Sequence, residues 1–233
     1  MGFGPGGLRL GRVLERVARR EGISVALAPP IPLAERFASR LGIPILAQRA
    51  DAAAPGASTG AIVPEALEVA GLRGSLVNHA EARVPARVTE EVVERLRSRG
   101  LIAVVCAGDV PEARRLAARS RPPYLAIEPP ELIGGTVSVS RARPEVIQEA
   151  VRAVRRVSPR TRVLCGAGIQ DERDVRRALE LGSDGVLVSS SVALAADPAG
   201  VARTLLRGFR RPPQRGGFGP SPNGSSPGRS SPG

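Results

Sequence analysis

The sequence predicts an α/β fold built on a parallel sheet, and the order and type of its segments support this. Seven short apolar runs alternate with eight segments whose apolar residues recur at helical spacing. The apolar runs are nearly continuous, which is typical of strands buried on both faces of a parallel sheet. Eight helices with only seven strands favour a (β/α)8 barrel that lacks its first strand. A doubly wound open sheet is the alternative.

The predicted strands cover residues 23–28, 44–47, 75–78, 101–106, 124–127, 162–165 and 185–188. The predicted helices cover residues 8–20, 33–41, 89–99, 144–157 and 171–181, with three more that begin at Pro64, Pro111 and Pro198. Without a first strand, the strands at Ser24 and Gly185 should each lack a neighbour on one side.

The predicted domain organisation is a flexible N-terminus over residues 1–7, a barrel domain over 8–209 and a disordered tail over 210–233. From residue 210 onward apolar residues almost vanish, and Arg, Pro, Gly and Ser replace them. Such a segment cannot bury enough apolar surface to offset its ordering entropy.

Composition argues against several partners. The net charge is +12 and all 34 basic residues are arginine, but they are spread over every predicted helix. One tyrosine and four phenylalanines offer little for stacking bases, so we expect no nucleic-acid partner. No apolar run approaches the roughly 18 residues of a membrane span, and the first residues lack a secretory pattern. Cys106 and Cys165 each end an apolar run as free thiols, which fits a cytoplasmic protein without a metal site.

The chemically informative residues follow the predicted strands, whose C-terminal ends meet at the mouth of a barrel. Glu128 ends the strand 124–127 and precedes Pro129 and Pro130, a position that suits a general base below a closing loop. His79, the only histidine, follows the strand 75–78. Taken singly, Glu128 could merely solvate a loop and His79 could be structural.

Small residues follow two later strands. Gly166-Ala167-Gly168 and Ser189-Ser190-Ser191 each precede a helical segment, so their backbone N–H groups can hold a phosphate. A carboxylate, an imidazole and a phosphate cradle together indicate proton abstraction beside a carbonyl on a small sugar phosphate. Another phosphate-binding barrel isomerase and a non-catalytic phosphate-binding protein are the alternatives.

Four stretches resemble the triosephosphate isomerase family in its shorter archaeal form, over roughly residues 8–209. They are NHAE from Asn78, IEPPELIG from Ile127, CGAGI from Cys165 and GVLVSS from Gly185. The resemblance implies a TIM barrel and the interconversion of D-glyceraldehyde 3-phosphate and dihydroxyacetone phosphate through an enediol(ate), in glycolysis and gluconeogenesis. It also implies a small phosphorylated triose as substrate, no cofactor or metal, and a homo-oligomer, usually a tetramer.

The resemblance also implies roles for individual residues. Glu128 would carry the proton between two carbons, and His79 would polarise the carbonyl and pass protons between the oxygens. Residues 129–135 would form a closing lid. The phosphate would be bound by backbone groups of Gly134, Gly166, Ala167, Gly168, Ser189 and Ser190.

The chain departs from the family at its first strand, which normally carries an asparagine and a catalytic lysine. This chain contains no lysine, Glu81 therefore lacks its usual partner, and Ala80 replaces the usual serine. A true start further upstream is the favoured explanation; a degenerate remnant that binds phosphate ligands or a partner, and a partner chain that supplies the strand, are the others. For the chain as printed we expect turnover reduced by several orders of magnitude.

Overall fold

The computed structural model describes residues 5–129 and 138–210, and all structural statements below concern these residues. They contain six strands and ten helices. The strands are β1 Leu46–Ala47, β2 Gly74–Val77, β3 Ile102–Ala107, β4 Tyr124–Ile127, β5 Arg162–Cys165 and β6 Gly185–Val186. The helices are α1 Pro5–Glu21, α2 Ile31–Ala38, α3 Pro64–Val69, α4 Ala86–Ser98, α5 Val110–Ser120, α6 Val139–Ala142, α7 Pro144–Val157, α8 Glu172–Glu180, α9 Ser190–Ala193 and α10 Pro198–Arg207.

The sheet has the connectivity of a barrel wall. Its strands pair in parallel and in sequence order, from β1 to β6. A doubly wound sheet would reverse its strand order at a switch point, so that alternative is excluded. The fold is a (β/α)8 barrel that is open at one place, between the segment around Leu27 and β6.

The structure corrects the prediction of a first strand over residues 23–28. In the described part of the chain it forms only an isolated parallel bridge between Leu27 and Ile45, so the structure has six strands rather than seven. Two hydrogen bonds make the bridge, from Leu27 N to Pro44 O at 3.0 Å and from Leu46 N to Leu27 O at 2.9 Å. This segment is paired on one side only, through these two hydrogen bonds, so its backbone is held less firmly than that of an inner strand.

The helix count also differs from the prediction, ten rather than eight among the described residues. The additional helices, α6 and α9, have four residues each, which is too short to show a helical apolar period. Helix α1 begins at Pro5, inside the segment predicted to be flexible. Arg210, the first residue of the predicted tail, forms an ion pair with Glu21. Residues 1–4 and 211–233 lie outside the described part of the chain.

Local sequence signals explain most helix starts. Proline occupies the first turn of α2, α3, α5, α7 and α10, where its missing N–H has no cost. The Asp109 side chain caps α5 by accepting from Glu112 N at 2.7 Å. Asp171 caps α8 in the same way, accepting from Arg173 N at 2.8 Å.

A single hydrophobic core joins the sheet to the surrounding helices. Leu125 and Ile127 of β4 are fully buried, and each such side chain stabilises the fold by roughly 2 kcal/mol. The last helix, α10, packs against α1, so the helices bridge the place where the sheet is open. Within the residues described here, we find no helix with the length and apolar character needed to cross a membrane.

Candidate active site

Glu128 lies directly beyond β4 and is fixed by the backbone of its neighbours. Its N–H donates to Ala107 O at 2.8 Å, which extends the β3–β4 pairing by one residue. The residue is 5 % exposed, and among the described residues its Oε2 atom has no hydrogen-bond partner. A buried carboxylate oxygen without a partner is costly, so it indicates a group kept available for a ligand.

Gly166, at the end of β5, makes room for this carboxylate. A Cβ atom at Gly166 would lie 2.4 Å from Glu128 Cγ, closer than carbon atoms can approach. The Gly166 N–H donates to Ile127 O at 2.9 Å and is therefore already used in the sheet. Its contribution to the site is space for Glu128 rather than a free N–H group.

His79 lies just beyond β2 and is close to Glu128. Its Nε2 atom lies 3.7 Å from Glu128 Oε1. Its Nδ1 atom accepts a hydrogen bond from Glu81 N at 3.3 Å, an arrangement that assigns the ring proton to Nε2. The imidazole therefore presents an N–H donor beside the buried carboxylate.

Glu81, expected to lack its usual partner, lies beside the histidine. Its Oε2 atom is 3.7 Å from His79 Nδ1, and its side chain is 81 % exposed. It therefore contacts the outer side of the imidazole, away from Glu128.

Two buried thiols flank β4 on either side. Burial, followed by the charge of Glu128, raises the pKa of the Cys106 thiol well above its usual value. Burial, with smaller effects of Asp174 and Glu128, raises the pKa of Cys165 to about 12. Both cysteines are free, as the sequence predicted, and both remain neutral thiols at neutral pH.

The loops after β5 and β6 are joined to each other. Ala167 and Gly168 have left-handed backbone angles, with φ of 70° and 71°. Ser191 Oγ donates to Ile169 O at 2.8 Å and connects the two loops. The backbone N–H groups of Gly168, Ser189 and Ser190 donate to no protein group in the described part of the chain. Gly134 and residues 130–135 of the predicted lid lie outside the described residues.

A buried carboxylate that sequence reasoning missed holds the first of these loops. Asp174 of α8 is 1 % exposed and accepts from Gln170 N at 2.9 Å and from Ser138 Oγ at 2.6 Å. It also pairs with Arg141 at 2.5 Å. The only sequence signal is its position three residues after the helix cap Asp171, which does not distinguish it from any acid in a first helical turn. Within the described ranges, no cluster of three or more His, Cys, Asp or Glu could hold a metal ion.

The fold and the site together define a (β/α)8-barrel protein that pairs a buried carboxylate with an imidazole N–H at the C-terminal ends of its strands. The family model for triosephosphate isomerase matches residues 9–205. The chain belongs to the triosephosphate isomerase family.

Archaeal relatives support this assignment. The triosephosphate isomerase of Methanopyrus kandleri is 44 % identical over 208 residues, covering 88 % of this chain and 92 % of that protein. That of Cenarchaeum symbiosum is 47 % identical over 190 residues, covering 82 % and 84 % respectively. That of Methanocaldococcus jannaschii is 38 % identical over 205 residues, covering 88 % and 93 %. The resemblance to the archaeal form that the sequence motifs indicated is confirmed.

Proposed function

We propose that this chain is a triose-phosphate isomerase that interconverts D-glyceraldehyde 3-phosphate and dihydroxyacetone phosphate, a reaction of glycolysis and gluconeogenesis. The observation that carries the proposal is the approach of His79 Nε2 and Glu128 Oε1 to 3.7 Å, at the ends of two strands of a barrel. Both residues lie inside the range that matches the family model.

The proposed chemistry is a proton transfer between adjacent carbons. A glutamate base and a neutral histidine electrophile are the established pair of triosephosphate isomerases. In this chain, Glu128 would remove a proton from one carbon and return it to the next. The Nε2–H group of His79 would polarise the carbonyl and pass a proton between the two oxygens, so that the hydroxyl oxygen becomes the carbonyl oxygen and the carbonyl oxygen becomes the hydroxyl. The Oε2 atom of Glu128 supports this role, since it is buried and forms no hydrogen bond with the described residues.

The phosphate would be bound by the backbone of the two connected loops. The N–H groups of Gly168, Ser189 and Ser190 that bond to no described protein group are available for this purpose. Ala167, with its left-handed backbone, would set the direction of the first loop. Gly134 and the lid over residues 129–135 remain predictions from the family resemblance.

Replacing Glu128 by Gln tests the proposal, because Gln keeps the size and removes the base. We expect kcat for glyceraldehyde 3-phosphate in a coupled assay to fall about 10³-fold. The Kd for a phosphate-bearing substrate analogue should change little. The matched control is Glu91→Gln, which removes an exposed ion pair with Arg87 and should leave both values unchanged. If the Glu128→Gln variant keeps the kcat of the wild type, the assignment of Glu128 as the base is refuted.

The absence of lysine from the sequence favours one second candidate, an impaired protein that binds phosphate ligands or a partner. The expectation of weak turnover for this chain stays a prediction, and the same assay tests it. Near-normal wild-type rates would exclude the second candidate, whereas analogue binding without turnover would favour it.

The homo-oligomeric, tetrameric state and the cytoplasmic location also stay predictions. Sedimentation equilibrium of the purified chain would measure the first, and fractionation of the source cells would measure the second.

A further inference from the structure

We infer that Glu112, in the first turn of α5, is a positioning residue for His79, a role that rests on the proposed function of His79. Glu112 does not contact the imidazole. It acts through the segment of residues 78–84, called here the His79 loop, which connects β2 to α4.

The His79 loop leaves β2 through an unusual backbone conformation. Asn78 has a φ of 61°, in the left-handed region that few residues other than glycine adopt. Its buried side chain supports the turn, because Asn78 Oδ1 accepts from Val84 N at 3.1 Å. A second bond within the loop runs from Ala82 N to His79 O at 2.8 Å. The direction of His79 therefore depends on how the Asn78 amide is held.

One carboxylate holds that amide and the far end of the loop together. Asn78 Nδ2 donates to Glu112 Oε1 at 3.2 Å, and Arg83 Nη1 donates to both Glu112 oxygens at 2.9 Å. Gly108 N, in the turn after β3, donates to Glu112 Oε2 at 2.7 Å. Asn78 Nδ2 also donates to Cys106 O at 2.9 Å. Glu112 thus connects both ends of the His79 loop to the β3–α5 turn.

Helix capping is the competing role for Glu112. It lies three residues after the cap Asp109, where a Glu or Gln normally returns a hydrogen bond to the N–H of the cap residue. Here the carboxylate accepts from Gly108 N instead, and its remaining bonds go to Asn78 and Arg83. Gln serves a capping role as well as Glu, so Glu112→Gln retains capping and removes the charge that Arg83 requires.

Two substitutions test the contact between Glu112 and Arg83, one in each partner. Glu112→Gln changes the helix side, and Arg83→Gln changes the loop side without altering α5. For each variant we expect kcat to fall about tenfold and KM to change less than threefold, because small displacements of a reacting group reduce the rate more than binding. The double variant should lose no more than either single variant, since both act on one interaction. The control Glu90→Gln, which removes an exposed pair with Arg119, should retain wild-type kinetics.

A second measurement follows His79 without any assay. The chain contains one histidine, so ¹⁵N-histidine labelling of tag-free protein gives a single pair of ring nitrogen resonances. In both variants we expect these resonances to shift or broaden, with a thermal midpoint close to that of the wild type. Glu90→Gln should leave them unchanged.

The two proposals fail in different ways. A wild-type chain without turnover would refute the isomerase proposal, and the ring resonances would then decide the role of Glu112 alone. Unchanged ring resonances in both Glu112→Gln and Arg83→Gln would overturn the inference. An effect of Arg83→Gln on the ring resonances that Glu112→Gln does not share would also overturn it, because Arg83 would then hold the His79 loop without Glu112.

Discussion

The middle of the sheet and its two edges are built differently. Strands β2 to β5 each have a partner on both sides, and Val105, Leu125 and Ile127 are fully buried. At one edge only a single bridge joins Leu27 to Ile45, and at the other β6 pairs over two residues. Apolar side chains at both edges, residues 23, 25 and 186–188, are only half-buried.

The residues proposed for proton transfer follow well-paired strands, whereas some of those proposed for phosphate binding follow an edge strand. Glu128 and Gly166 continue strands that are paired on both sides, and His79 follows β2, which pairs with β3 along its whole length. Ser189 and Ser190 follow the edge strand β6. Proton transfer needs closer tolerances than anion binding, because rates depend steeply on the distance between reacting groups. The better-supported half of the sheet therefore carries the residues with the stricter requirement.

The largest expected effect comes from a matched pair of glycine substitutions. A Cβ atom at Gly74, in β2, would lie 2.0 Å from Ile102 O, so Gly74→Ala must separate β2 from β3. We expect a loss of about 3 kcal/mol in the free energy of unfolding. At the edge, a Cβ atom at Gly185 would lie 3.0 Å from the movable Leu164 Cδ2, and Gly185→Ala should lose under about 1 kcal/mol. Urea unfolding measures both, and equal losses would show that edge and middle are equally constrained.

The second effect concerns the contact between two middle strands at the site. Gly166→Ala would force the Glu128 side chain away, because the new Cβ atom would lie 2.4 Å from its Cγ. We expect kcat to fall about 100-fold, with a much smaller change in stability. Gly6→Ala is the control, since a Cβ atom there meets no atom within 4 Å. A Gly166→Ala variant with normal kcat would show that Glu128 tolerates displacement.

The smallest expected effect is a loss of folding stability at high pH, caused by the buried thiols of the middle strands. The pKa of Cys165 is raised from 9.0 to about 12, so the folded state keeps a proton that the unfolded chain loses. The resulting stability is complete below pH 9 and is lost as the pH rises toward 12. At pH 10 the loss is about 1 kcal/mol.

This pH dependence is easy to isolate, because the chain has no lysine and one tyrosine. Cys165→Ala should lose less stability than the wild type between pH 8 and pH 10, measured by urea unfolding under reducing conditions. Cys106 contributes in the same direction and remains in the variant. A parallel decline in both proteins would indicate that the Cys165 thiol ionises freely in the folded state.

Prediction from sequence was most accurate where the local signal was strong. The strand over residues 124–127 and the helix over 144–157 have the predicted bounds, because a continuous apolar run and a long helical period leave little ambiguity. The segment 23–28 has an equally apolar sequence but forms only one bridge. Strand formation requires a neighbour as well as a suitable sequence, and the sequence of a segment does not contain its neighbour.

The residues of the site also differ in whether the sequence could predict them. His79 and Glu128 could be predicted, because each directly follows a strand and the ends of parallel strands meet. Glu112 and Asp174 could not, since an acid in the first turn of a helix is common and stabilising by itself. Their partners are distant in sequence: Asn78 lies 34 residues from Glu112, and Ser138 lies 36 residues from Asp174.

The amino-acid sequence by itself determined the alternation of strands and helices, the parallel sheet, and the acid and histidine that follow two of its strands. These features depend on periodicity and on the residue that comes next, both of which are local. Only the tertiary structure decided that residues 23–28 form a single bridge at Leu27, that Gly166 makes room for Glu128, and that Glu112 connects the ends of the His79 loop. Each of these depends on contacts between distant segments, which arise only when the chain packs.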